Sequence, residues 1–403
     1  MPHSGRRAWA LCLALALATA LALGACAGGA AASGDAAPGA SQAQTSHTTL
    51  VDDFGNPDLG CGWEPAGQLE LSHAKRFCVY EYAGGYRLAC LADGARYLVV
   101  PKGATVPEDL AKDVVVIQQP LGDVYLAASD SLCLFQALGM LDRVTVSGIE
   151  RDDWQIPAAR EAMDAGAMVY GGKYRAPDYE LLVDRGVRLA MESSMINHVP
   201  EVREKLVELG IPVLTELSSY EDEPLGRAEW IKLVGVLCDC EDEAKRLFQE
   251  QVDQAAGVGH VDSGKTVAFF YLNANGAAVV RRPGDYVTKM IEQAGGTYAF
   301  DELEPATPGA SSVTLEAERF FQIAKDADVM VYNATIDDGV DTLDDLLRKN
   351  ELLATCKAVR QGEVWVTDKS MYQQMLESGE MIADFNRALR GEGDDLAYLR
   401  RLV

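Results

Sequence analysis

A helical period that runs without a proline from Leu225 to Ala256, with short apolar strands and helices alternating on both sides of it, constrains this chain more than any other feature. Trp230, Leu233, Val234, Leu237, Ala244, Leu247, Phe248 and Val252 recur at the spacing of one helix face. Ahead of this stretch, strands are expected at 114–117, 144–147, 167–170, 187–191 and 213–217. Helices are expected at 129–141, capped by Ser129 or Asp130, and at 200–209, stopped by Gly210. Behind it, strands are expected at 266–272, 329–332 and 364–366, and helices at 286–294, 315–325 and 371–390. Such alternation places helices over both faces of mostly parallel sheets, so the class is α/β, with two βα lobes joined by a single long α-helix. Three alternating runs at 76–82, 86–91 and 96–100, punctuated by Gly84-Gly85 and Asp93-Gly94, add a small N-terminal β-meander.

The first residues set the compartment. Arg6 and Arg7 precede an uncharged apolar run over 8–23, which ends in Leu23-Gly24-Ala25-Cys26. A buried helix or a single transmembrane anchor would call for a longer run or a different ending; small residues before a cleavage point mark a secretory signal. The ending resembles the bacterial lipobox, which implies removal of 1–25 and a lipid on Cys26. Residues 26–49 are largely Ala, Gly, Ser, Gln and Thr, too poor in large apolar groups to build a core, and read as a flexible tether. The folded part is then expected outside the cytoplasm, lipid-anchored to the cell membrane.

The chain carries 36 basic and 61 acidic side chains, a formal charge of −25, which repels phosphate backbones and argues against nucleic acid as a partner. Its 48% hydrophobic and 24% charged composition excludes a disordered chain and a polytopic membrane protein. Seven cysteines follow Cys26: Cys61, Cys78, Cys90, Cys133, Cys238, Cys240 and Cys356. Seven is odd, so at least one stays free or pairs between molecules. A two-residue turn at Gly84-Gly85 would set Cys78 opposite Leu91, and only a longer loop would let Cys78 meet Cys90. Cys238-x-Cys240 lacks the two-residue spacer of zinc and redox motifs, and no metal site is expected.

One motif invites a wrong reading. The stretch 259–266, from Gly259 through Gly264-Lys265-Thr266, matches the phosphate-binding loop letter for letter. That loop works because a strand enters it and a helix leaves it with free backbone N–H groups, whereas here a helix is expected before it and a strand after it. No Gly-x-Ser-x-Gly, His-Glu-x-x-His or histidine cluster appears, so an exported enzyme is the weaker reading. A structural lipoprotein would tend to show repeats or sandwich strands, and neither is seen.

Several segments together carry a family resemblance. Residues 129–139, ending in Ala137-Leu138-Gly139, resemble the first helix of the substrate-binding proteins of ABC importers for iron-siderophores, haem and cobalamin. Gly171-Gly172-Lys173-Tyr174 with 177–180 resembles that family's Gly-Gly-Tyr loop and acidic helix. Residues 200–213, with Leu209-Gly210-Ile211-Pro212-Val213, and 224–231, with Pro224-Leu225-Gly226-Arg227, resemble the last unit of the first lobe and the start of the joining helix. The likeness covers roughly 110–390; the meander and Arg188, where the family often has aspartate, depart from it.

The resemblance implies two Rossmann-like lobes: an N-terminal lobe with the meander at 50–223, a linking helix at 224–256 and a C-terminal lobe at 257–403. It implies capture, without chemistry and without a cofactor, of a metal chelate, an iron-siderophore first and cobalamin or haem as alternatives. An ABC importer permease is the implied partner. Glu180 and Glu318, with Glu316 in reserve, are the implied permease-docking carboxylates. In this fold the cargo lies at the C-terminal ends of the strands, which nominates Tyr125, Tyr174, Arg175, Met195, Asn197, Arg281, Arg282, Asn333, Met371 and Tyr372 as ligand-binding residues.

Overall fold

The computed structural model describes residues 50–51, 53–259, 262–303 and 311–403. The expected signal at 1–25, lipid-bearing Cys26, the tether at 26–49 and His260 and Val261 of the phosphate-loop-like motif lie outside the described residues. Among the described residues no helix is long and apolar enough to cross a membrane.

The N-terminal sheet has the order β1-β2-β3-β4-β5, with β1 Gly67–Gln68, β2 Phe77–Glu81, β3 Arg87–Leu91, β4 Arg96–Val100 and β5 Val114–Gln118. Strands β1 to β4 form the expected antiparallel meander, and β5 adds to β4 in parallel. Residues 114–117 were expected to open the parallel sheet of the first lobe. Instead they form an edge strand of the meander, where their alternating half-exposed pattern suits a strand covered on one face only. Period-two alternation splits the sheet between two cores. Phe77, Val79, Tyr97 and Val99 face the first lobe, while Cys78, Leu88, Cys90, Leu98 and Val100 pack with Leu59 and Tyr82 on the other side. The β2–β3 connection spans five residues rather than two, with Gly84 and Gly85 at φ of 80° and 85°. The longer loop brings Cys78 directly opposite Cys90.

The first lobe is a fully parallel sheet in the order β10-β9-β6-β7-β8, from β6 Val124–Leu126, β7 Val144–Ser147, β8 Val169–Tyr170, β9 Leu189–Ser193 and β10 Val213–Glu216. Its first strand is β6, three buried residues too short to register as an apolar run. The helix expected over 129–141 is a 3-10 turn at Ser129–Ser131 followed by Leu132–Ala137, and Ala128 supplies no side-chain cap.

The second lobe is a mixed sheet in the order β14-β12-β11-β15-β16-β17, with β13 also on β11; the strands are β11 Thr266–Leu272, β12 Ala278–Arg281, β13 Thr297–Tyr298, β14 Ser312–Leu315, β15 Val329–Tyr332, β16 Val364–Thr367 and β17 Leu399–Arg401. Strands β11, β15 and β16 are parallel, and antiparallel β12, β14 and β17 extend both flanks. Pairing of β14 with β12 takes Leu315 out of the helix expected over 315–325, which becomes Ala317–Ala324. The closing helix starts at Ser378, after two 3-10 turns. A helix ends at Gly257 and β11 starts at Thr266, the reverse of a phosphate-loop order.

The linker differs from the expected single rod. It comprises Pro224–Ala228, Ile231–Cys238 and Glu241–Gly257. Asp239 takes a left-handed φ of 60°, and the Cys240 N–H returns to the Gly235 carbonyl at 2.9 Å. A Cβ on Gly235 would stand 2.6 Å from the Ala244 Cβ, although nine residues of straight helix would separate them by roughly 13 Å. The last piece therefore folds back on the second. The period runs through the break because Leu237, Ala244 and Phe248 all enter the same core.

Charge holds the N-terminal sheet to this linker. Buried Glu229 accepts the backbone N–H groups of Ser72, His73 and Ala74 at 2.7–3.1 Å and the Lys232 ammonium at 2.6 Å. Glu221 accepts the N–H groups of Lys75 and Arg76 and the Trp230 indole at 2.9–3.2 Å. Burial pushes the Glu229 carboxyl up, but the Lys232 and amide hydrogen bonds outweigh it and hold it below the usual range. Glu229→Ala leaves three amides without their acceptor and a buried ammonium without its counter-charge, with only the Glu70 carbonyl still accepting from it. It is expected to cost about 3–5 kcal/mol, read as a lower midpoint in urea denaturation; a loss under 1 kcal/mol would dismiss the anchor.

Candidate functional site

The C-terminal ends of the first lobe's parallel strands and, in the second lobe, the end of antiparallel β12 with the turns after β15 and β16 bring together a set of buried charges and aromatic rings. On the first-lobe side Asp130 lies in the 3-10 turn after β6, Glu216 ends β10, Ser218 opens the next turn, and Arg227 projects from the first linker piece. Arg227 is only 6% exposed, and its guanidinium donates to Asp130 at 3.1 Å. Glu216 accepts the Ser218 N–H. Burial, reinforced by the nearby Asp130 charge, pushes the Glu216 carboxyl up to about 8. Burial also raises Asp130, against the pull of Arg227.

On the second-lobe side Arg281 ends β12 and forks onto Asp285 at 2.9 and 2.6 Å. Asp285 also caps the helix Tyr286–Gln293 by accepting the Val287 N–H at 3.0 Å. The Arg281 guanidinium lies 5.6 Å from the Tyr286 ring centre and 5.8 Å from that of Tyr372. Asn333, just after β15, donates to the Tyr372 hydroxyl at 2.9 Å. Burial raises both Tyr286 and Tyr372, so both rings keep their phenolic protons.

The two sides touch. Arg227 sits 4.1 Å above the Tyr286 ring, joining the linker to the second lobe. Around this contact Arg282 pairs with Asp222 at 3.2 Å, Lys289 with Glu223 at 2.5 Å, and Gln373 bonds the Gln155 N–H and the Asp153 carbonyl at 2.7 and 3.0 Å. The result is a seam of cations, carboxylates and rings, in which each arginine is already neutralised by an aspartate.

Of the nominated ligand residues, Arg281, Asn333 and Tyr372 meet in this cluster, buried Met371 precedes Tyr372 in the same turn, and Arg282 sits at its rim. Tyr174 and Arg175 follow β8, and Met195 and Asn197 lie in the 3-10 turn after β9, at the same end of the first sheet. Tyr125 belongs to the core instead. It lies inside β6, fully buried among Val146, Leu182 and Ala190, and its hydroxyl donates to the Gly172 carbonyl at 2.9 Å. Its expected place depended on taking 114–117 as the first strand. Asp130, Arg227, Asp285 and Tyr286 were missed. Arg227 stood inside a helix taken wholly as spine, Tyr286 read as no more than a helix start, and Asp285 drew no notice, although the Arg281-to-Asp285 spacing signalled an ion pair. Glu180 and Glu318 are both exposed in the first turns of their helices, Tyr179–Asp184 and Ala317–Ala324.

A family model described as periplasmic binding protein matches residues 128–371, more than half of the chain. The chain belongs to the periplasmic binding protein family. The N-terminal sheet lies before the matched region. Two uncharacterized lipoproteins of Methanocaldococcus jannaschii resemble the chain, one 27% identical over 76% of this chain and 75% of its own length, the other 23% identical over 82% and 86%. The periplasmic haem-binding protein HutB of Vibrio cholerae shares the fold at a TM-score of 0.53 and 18% identity, over 66% of this chain and 98% of its own. The catecholate-siderophore binding protein VctP of Vibrio cholerae does so at 0.53 and 9%, over 67% and 93%.

Glu216 provides a test of the seam's electrostatics. With its folded value near 8 and an ordinary unfolded carboxylate near 4.3, the native state holds a proton that the unfolded chain has lost, so this residue lowers stability as pH rises through that window. Glu216→Gln should match the parent in urea denaturation at pH 4 and exceed it at pH 9. Equal stability at pH 9 would show that the carboxylate is not raised.

Proposed function

We propose that this protein, anchored outside the cell by a lipid on Cys26, captures a metal chelate between its lobes and delivers it to an ABC importer permease, an iron-siderophore being the first choice and haem or cobalamin the alternatives. One observation carries the reading: buried Arg227 and Arg281 flank the Tyr286 ring where strand ends of both lobes converge. Guanidinium groups beside aromatic faces suit a large, partly apolar ligand with anionic edges. Arg281, Arg282, Asn333, Met371 and Tyr372 from the second lobe, with Tyr174, Arg175, Met195 and Asn197 from the first, form the proposed contact set. The solved proteins of this fold named for haem or catecholate-siderophore binding support the cargo class.

The seam also suggests how binding is sensed. A ligand entering between the lobes competes with the Arg227–Tyr286 contact and the rim ion pairs, so occupancy shifts a small equilibrium between lobe arrangements. Glu180 and Glu318, exposed one on each lobe, are proposed to report that arrangement to permease arginines.

Tyrosine and tryptophan emission of the purified protein should quench saturably, with one-to-one stoichiometry, on titration with one of ferric catecholate, haem or cobalamin. Arg282→Ala, which removes a half-exposed cation, should weaken that binding about tenfold, or about 1.4 kcal/mol; failure of all three probes would refute the cargo class. The Glu180→Ala/Glu318→Ala double variant should retain the parent's affinity and lose uptake in cells, and undiminished uptake would remove those two carboxylates from the docking surface.

A further inference from the structure

We propose that Cys78 and Cys90 are joined as a structural disulfide in the exported protein, pinning β2 to β3 at the base of the N-terminal sheet. The two residues are directly opposed in the antiparallel ladder. Ladder hydrogen bonds from Tyr82 N–H to the Tyr86 carbonyl and from Ala92 N–H to the Arg76 carbonyl, at 2.9 Å each, alternate so that 78 and 90 form a hydrogen-bonded pair. Such pairs hold their Cα atoms about 5.5 Å apart with both side chains on one face, within the span a disulfide bridges.

Both residues are buried, 9% and 0% exposed, among Leu59, Tyr82, Leu88, Leu98 and Val100. The Cys90 thiol donates to the Asn56 carbonyl at 3.6 Å, and interaction with Cys90 holds the Cys78 thiol below its usual range. Thiols are weak hydrogen-bond partners, so apolar side chains would fill this position as well. Among the other cysteines, Cys133 and Cys356 are buried in separate cores, and Cys61 is the neighbour that could compete.

The chemistry needs an oxidant, and an exported thiol–disulfide oxidoreductase in its disulfide form supplies it. The Cys78 thiolate attacks the donor's S–S bond, giving a mixed disulfide and one donor thiolate. The Cys90 thiolate then displaces the second donor sulfur. An S–S bond forms in the sheet as the donor's S–S bond breaks, two electrons pass from the cysteine pair to the donor, and the two protons released by Cys78 and Cys90 end on the donor's thiols.

The inference rests on the export reading and is independent of the cargo. The full-length protein, expressed with its own N-terminus in cells that export it, is alkylated without reductant and digested with trypsin. Cleavage after Arg76, Arg87 and Arg96 separates Cys78, in 77–87, from Cys90, in 88–96. A linked pair of these peptides, lighter than their sum by two hydrogens, is the expected result. Alkylation of both cysteines in membrane-fractionated protein, or linkage of either to Cys61, would overturn the proposal; recovery in the cytosolic fraction would overturn the export reading instead. Reductant should lower the apparent Tm of the parent by about 4 °C and leave that of a Cys78→Ser/Cys90→Ser variant unchanged, whereas an equal response of the two proteins would count against the bond.

Discussion

Four charged side chains within one short stretch, Glu221, Arg227, Glu229 and Lys232, hold the described parts of this protein together. All four are buried where the linker begins, a position that would be prohibitive for any unpaired charge. Their partners come from several parts of the chain. Glu221 and Glu229 gather the amides of residues 72–76, Lys232 bonds Glu229 and the Glu70 carbonyl, and Arg227 bonds Asp130 while covering the Tyr286 ring. The N-terminal sheet, the first lobe, the linker and the second lobe thus meet at one electrostatic junction.

This junction changes what the linker can do. A straight rod between lobes would resist bending along its own length. Here the second piece is enclosed by the N-terminal sheet and first-lobe core, with Trp230 meeting Phe77 edge to face at 5.0 Å. The folded-back third piece lies against the second-lobe helix Ser378–Arg390, so closely that a Cβ on Gly379 would come within 2.2 Å of the Gln251 carbonyl oxygen. The rim of the seam, by contrast, consists of partly exposed ion pairs that each contribute little.

The N-terminal sheet precedes the family match and is fused to the family's architecture through burial and charge. Its inner face supplies Phe77, Val79, Tyr97 and Val99 to the first-lobe core, and the Tyr97 hydroxyl reaches the Val213 carbonyl on β10 at 2.7 Å. Its outer face encloses a second small core of its own. A sheet with two buried faces needs apolar residues at nearly every position, and β3 and β4 have them.

Periodicity by itself determined the α/β class, the meander, most of the parallel strands and the place of the long helical stretch, because burial of apolar side chains at spacings of two and of three to four residues is a local property of the chain. It also placed Asn333, Met371 and Tyr372 after strand ends, where the fold gathers its loops, whereas Arg281, expected in a loop beyond Leu272, closes the antiparallel strand β12. Tertiary structure alone decided that 114–117 joins the meander, that Tyr125 is core, that the linker turns back at Asp239, and that Arg227 meets Tyr286. Those outcomes depend on which surfaces cover one another and on which distant partner neutralises a buried charge, and neither leaves a period in the sequence.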